Sequence, residues 1–144
     1  MLSRFLPEGR RLETPENRAA CASLEGLRSA GAQGTILEGQ ALSCSPEHHL
    51  TVSLGPFTGV IPREESALGV AEGTVRDIAI LSRVGKPVCF LVEEVREGPE
   101  GPSIRLSRRR AQVLAREALM AQLRPGMVIP CTVTHLEPFG AFVD

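Results

Sequence analysis

Hydrophobic positions recur with two different periods along this chain, and the change of period divides it. Ala20, Leu24, Leu27 and Gly31 fall on one face at helical spacing. Thr14-Pro15-Glu16-Asn17 supplies the helix start, with Thr14 as N-cap, Pro15 at the first helical position and Glu16 in the first turn. Gly31 and Gly34 end this helix near Ala30, and it is expected to pack on the outside of the domain that comes after it. Residues 1–13, with Pro7, Gly9, Arg4, Arg10 and Arg11, read as an irregular, mobile arm.

From Thr35 the period becomes two, the signature of half-buried strands. Ile36–Cys44 reads as a strand, Ser45-Pro46-Glu47 as a turn, His48–Leu54 as a second strand and Phe57–Pro62 as a third. Glu64–Arg83 is less regular, with a helical turn around Val75–Leu81. Val88–Glu94 is a fourth strand, with Val88, Phe90 and Val92 facing one way and Cys89, Leu91 and Glu93 the other. A Gly/Pro turn segment leads into a fifth strand, Ser103–Ser107.

Helical spacing then returns. Ser107 caps a helix over Arg108–Leu123 whose apolar face holds Ala111, Leu114, Ala115, Ala118 and Leu119. Arg124-Pro125-Gly126 stops it, so a linker helix fills 108–124. Met127, Ile129, Cys131 and Val133 alternate once more, a break falls at Leu136–Pro138, and Phe139–Asp144 opens another strand. The starts at Gly39 and Gly126 mark an internal repeat. The second copy stops after two strands, so the chain is expected to be a fragment of a longer protein, because two strands alone are marginal.

Composition changes this picture only in places. The length, 144 residues, fits one domain, and 42% hydrophobic with 23% charged residues is ordinary for a soluble globular chain. No apolar run reaches the roughly 20 residues needed to cross a bilayer, and the N-terminus is not a secretory signal. A cytoplasmic location without membrane attachment is expected. Cys21, Cys44, Cys89 and Cys131 are widely spaced, which argues against a metal site and for reduced, buried thiols. The net charge of −1 gives no general attraction to nucleic acid. Among the 16 basic residues, however, all but Lys86 are Arg, the side chain suited to forking phosphates and stacking on bases.

The last stretch, PGMVIPCTVTHLEPFGAFVD, resembles the opening hairpin of the S1 RNA-binding domain, a five-stranded OB-type barrel. More weakly, TVSLG with TGVIPREE is similar to the second and third strands of that family, RVGKPVCFLVEEVREG to its fourth, and SIRLSRRR to its fifth strand and exit. The expected fold is mainly β with flanking helices: an arm and helix over 1–34, a degenerate S1-like barrel over 35–107, the linker helix over 108–124, and the first hairpin of a truncated second repeat over 125–144. The resemblance implies a protein of the bacterial ribosomal protein S1 type that binds single-stranded RNA in translation. It makes Phe139 and Phe142 base-stacking residues. Counting back from Val52 puts Thr51 at the place of Phe142 and His48 at that of Phe139, so the first copy lacks the aromatic pair.

Candidate RNA contacts are therefore Phe139, Phe142, His48 and Thr51, with Arg63, Arg105, Arg108, Arg109 and Arg110 for phosphates. A second reading of the arginines is a solvated helix start balanced by Glu93, Glu94 and Glu97. No nucleophile elbow, P-loop or HExxH occurs, and the paired carboxylates Glu64–Glu65 and Glu93–Glu94 would point to opposite faces of a strand. No enzyme activity, cofactor or small-molecule substrate is expected. Two alternatives stand beside RNA binding: the first barrel docks on the ribosome or another protein, or the repeats are accessory domains of an RNA-processing enzyme.

Overall fold

Thr14 Oγ1 accepts the Asn17 N–H at 3.2 Å and Pro15 follows it, which starts α1 (Pro15–Cys21) where the sequence signal lies. The computed structural model describes residues 8–122, 125, 133–137 and 140–143. The single helix expected to run to Ala30 is in fact two. Ser23 adopts an extended backbone and its Oγ accepts the Gly26 N–H at 3.0 Å, capping α2 (Leu24–Gln33). Serine competes for backbone hydrogen bonds and so favours a cap over a helix interior. Gly31 does not terminate α2 but lies within it. A Cβ there would come 2.6 Å from the Val92 carbonyl oxygen, so the missing side chain is what lets α2 lie close on the sheet. Gly34, at φ 68°, makes the left-handed cap.

The arm preceding α1 is also different from expectation. Residues 8–13 are tied down rather than loose. The backbone N–H groups of Gly9 and Arg11 donate to the Glu38 carboxylate at 3.0 and 2.9 Å. Asn17 bonds both the N–H and the C=O of Glu38, at 2.7 and 2.9 Å.

Five strands follow: β1 (Leu37–Cys44), β2 (Leu50–Ser53), β3 (Thr58–Ile61), β4 (Pro87–Gly98) and β5 (Gly101–Ser107). They form one closed sheet in the order β1-β2-β3-β5-β4, with β4 returning to β1. Every pairing is antiparallel except β3 with β5. The inward faces of the alternating strands fill the interior, with Leu50, Val52, Ile61, Val88, Phe90 and Leu106 fully buried. Leu27 of α2 and Val70 and Ile80 from the segment between β3 and β4 join the same core. That segment holds a 3₁₀ turn (Arg63–Glu65) and a short α3 (Ile78–Leu81).

Val88, Phe90 and Val92 face the core as expected. Leu91 is buried too, on the opposite face, where α4 (Arg108–Gln122) packs along β4. Strands β4 and β5 extend past their apolar parts because the ladder continues through the polar pairs Arg96–Ser103 and Glu97–Pro102. Ser107 caps α4 as expected, accepting the Arg110 N–H at 3.0 Å. No helix among the described residues is long and apolar enough to cross a membrane.

A separate two-stranded sheet pairs β6 (Val133–Glu137) with β7 (Gly140–Val143). The expected strand residues Met127, Ile129 and Cys131 lie outside the described residues. The break expected at Leu136 is absent, since β6 runs on to Glu137, opposite Gly140.

Candidate nucleic-acid interface

Alternation along β2 buries Leu50 and Val52 and turns Thr51 and Ser53 outward. Along β3 it buries Gly59 and Ile61 and turns Thr58 and Val60 outward. Register aligns these residues across strands: Ser43 opposite Thr51, Thr51 opposite Val60, and Val60 opposite Arg105. The result is an outward row of two hydroxyls, one aliphatic side chain and one guanidinium. No aromatic side chain stands in it.

Arg105 is half exposed, and its nearest anion is Glu93, with Nε 3.9 Å from Oε1. Arg110, equally exposed, approaches Glu93 Oε2 at 3.9 Å. One carboxylate thus faces two loosely held cations, beside the outward row.

The other arginines are held firmly. Arg63 binds Asp77, with Nε and Nη2 at 2.9 and 2.8 Å from Oδ1. His48 sits in the β1–β2 connection at φ 65°, its Nδ1 3.4 Å from Asp77 Oδ2. His49 Nδ1 accepts the Arg63 N–H at 2.9 Å. Burial and the charge of Asp77 together push the Cys44 thiol up. This knot joins the β1–β2 connection, the end of β3 and the start of α3, and it consumes both His48 and Arg63.

Arg109 donates to both oxygens of Glu65 at 3.2 Å, while Ser107 Oγ donates to Oε1 of the same carboxylate at 2.6 Å. Burial pushes the Glu65 carboxyl up, but these bonds and the Arg109 charge outweigh it and hold it below the usual range. Arg108 forks onto Glu8, through Nε at 2.8 Å and Nη2 at 2.7 Å, and donates to the Ser66 carbonyl at 3.0 Å. Only Arg105 and Arg110 of the five candidate arginines therefore present loosely paired guanidinium groups to solvent. Comparison with protein families, curated proteins and solved structures finds no match.

Phe139 lies outside the described residues, and Phe142 is described as a backbone position in β7. Its register is informative. In the β1–β2 pair Ala41 faces Val52, the register then slips, and Ser43 faces Thr51. In the β6–β7 pair Val133 faces Val143, the register slips at the same step, and His135 faces Phe142. Thr51 and Phe142 thus hold equivalent positions in two hairpins with a shared irregularity. The same comparison sets Ala41 against Val133.

Asp77, Glu65 and Glu8 are residues whose part the sequence alone does not reveal. Each decides what a candidate arginine does, yet their separations of 14, 44 and 100 residues leave no local signal. Among the described residues no group of three His, Cys, Asp or Glu side chains is placed to hold a metal ion. A shallow groove of about 330 Å³ between α1 and the β2–β3 turn is lined by Asn17, Cys21, Gln40, Ser53 and Leu54 among others. Burial pushes the thiol of Cys21 in its wall up to about 11, which leaves it protonated and unreactive at neutral pH.

Proposed function

We propose that this chain binds single-stranded RNA, using the outward row Ser43–Thr51–Val60–Arg105 and the neighbouring Arg110. The observation that carries the reading is the order of the closed sheet, β1-β2-β3-β5-β4 with β3 and β5 parallel. We read that order as an OB-type barrel, a fold that takes oligonucleotides on the face of its second and third strands. The register slip common to both hairpins supports the S1-type resemblance, since it sets Phe142 where the first hairpin has Thr51. With hydroxyls and Arg but no stacking ring, the first unit supplies phosphate contacts and little base affinity. A translation-associated role follows from the same resemblance.

Anisotropy of a fluorescein-labelled RNA single strand tests the reading. Binding should be micromolar or weaker, roughly 10⁻⁴–10⁻⁶ M, and should fall with salt. Arg105→Ala with Arg110→Ala should weaken it and flatten the salt dependence by about 0.7 in log–log slope per lost contact. Absence of binding at low salt defeats the proposal.

A protein-docking role for the first unit is the second reading, favoured by exposed apolar side chains around α3. Ile78, Leu81 and Val84 are 67%, 43% and 38% exposed, and Gly85 bonds to Ala41 beside the half-exposed Leu42. On this reading Ile78→Glu abolishes co-sedimentation with purified ribosomes and leaves RNA affinity unchanged.

A further inference from the structure

Glu93 sits at an irregularity of the sheet, and that irregularity sets where it points. In the β4–β5 ladder Val92 faces Leu106 and Glu94 faces Arg105, so Glu93 is an extra residue at a β-bulge. A bulge of this kind re-aims a side chain. Here it gives one carboxylate two cations from different elements. Oε1 lies 3.9 Å from Arg105 Nε of β5, and Oε2 lies 3.9 Å from Arg110 Nη1 in the first turn of α4.

This carboxylate is poorly served. Its Oε1 is buried with no hydrogen-bond partner, which is costly for a charged acceptor. At 3.9 Å neither guanidinium forms a hydrogen bond with it. The arginines are no better satisfied, since both are half exposed and Glu93 is the one carboxylate within ion-pair distance of either among the described residues. Glu65 also feels the Arg105 charge, but its oxygens are hydrogen-bonded by Arg109 and Ser107. Glu93 therefore neutralises two cations without engaging their donors. A phosphate oxygen accepts charge-assisted hydrogen bonds from guanidinium at close range, so phosphate has the advantage over it.

We infer that Glu93 is an internal competitor for RNA phosphates, holding Arg105 and Arg110 until phosphate displaces it and so limiting the affinity of this face. The inference rests on the RNA reading above and adds to it a residue that opposes binding. Loss of the Glu93 charge strengthens RNA binding, whereas loss of either arginine weakens it.

Glu93→Gln keeps the shape of the side chain and removes its charge. Its control is Glu94→Gln, which changes the net charge equally in the next residue of β4 but removes a pair with Arg96. Anisotropy of the labelled RNA strand at low salt should show Glu93→Gln binding roughly 3- to 30-fold tighter than wild type, as two partly exposed ion pairs are lost. The gain should shrink as salt rises. Glu94→Gln should stay within about 2-fold of wild type. With Arg105→Ala and Arg110→Ala both present, Glu93→Gln should add no more than Glu94→Gln does. If Glu93→Gln does not fold, Glu93→Ala gives the same comparison, and failure of both to fold would make Glu93 a structural residue and overturn the inference. The inference alone falls if wild type binds and the Glu93 variant is no tighter, if Glu94→Gln gains as much, or if the gain survives loss of both arginines. If neither wild type nor the Glu93 variant binds at low salt, the RNA reading falls and the inference with it.

Discussion

Val60 lies directly opposite Arg105, in the parallel rung where β3 meets β5 and the sheet closes. Closure removes the unpaired strand edges that would otherwise recruit other chains. It also carries the Thr51–Val60 rung onto a third strand, so that an arginine from the end of the unit stands in line with a hydroxyl from its beginning. The candidate RNA face depends on that alignment.

Replacing Thr51 by Phe restores on the first hairpin the ring that the second carries at the equivalent step. Thr51 faces outward between Ser43 and Val60, so the ring needs no core space. A stacked base contributes about 1–3 kcal/mol, and RNA affinity measured by anisotropy should rise by roughly 5- to 150-fold. An unchanged affinity with intact folding would remove this face from the RNA interface.

Asn17 behaves as an extra rung of the sheet, pairing both backbone groups of Glu38 from a helix. Asn17→Ala orphans a buried N–H and a buried C=O at roughly 1–3 kcal/mol each. A loss of about 2–5 kcal/mol is therefore expected from urea denaturation. Arg18→Ala, one residue on but in an exposed pair with Glu13, should stay within about 0.5 kcal/mol. Equal effects of the two would refute the rung.

Acid should act through Glu8 and Glu65. For Glu8, burial pushes the carboxyl up, but the Arg108 fork, the Cys89 N–H and Arg83 outweigh it and hold it below its ordinary 4.5. A lowered folded pKa means stability that is present above 4.5 and lost as pH falls through the lowered value. Glu38 has the opposite sign. Burial raises its carboxyl, its bonds to Gly9 and Arg11 only partly offset this, and its share of stability fades as pH rises above 4.5 through the raised value. As pH falls from 7 to about 4.5, Tm should hold or rise as Glu38 takes up its proton. Below 4.5 it should fall steeply as Glu8 and Glu65 lose their charge. Glu8→Gln should flatten that fall, and an equally steep one would exclude Glu8 as its source.

The strands were largely legible because burial on one face imposes period two, and β1 to β5 lie within a few residues of the expected segments. The Thr14 and Ser107 caps were legible for a similar reason, since a cap is local chemistry. The split at Ser23 was not, because a serine in an alanine-rich run reads equally as helix interior. Electrostatics was least legible. Proximity in sequence suggested Glu93, Glu94 and Glu97 as partners of the arginine run. Only Glu93 lies near it, while Glu94 pairs with Arg96 and Glu97 with Arg28. The strong partners, Glu8 and Glu65, arrive by the fold rather than by sequence spacing.

The bond from Glu8 to Arg108 also has a meaning in time. During synthesis the chain emerges from its N-terminus, and contacts of long sequence separation form last. Glu8 leaves the ribosome early, but the fork that grips it is a hundred residues away and the strand that offers it Cys89 is most of that distance behind. Until α4 has emerged, Glu8 has Arg83 and the Cys89 N–H on that side but lacks the bidentate grip of Arg108. The first unit can therefore gather its core while it is still being made, yet it is locked only when the helix that leaves it has been delivered.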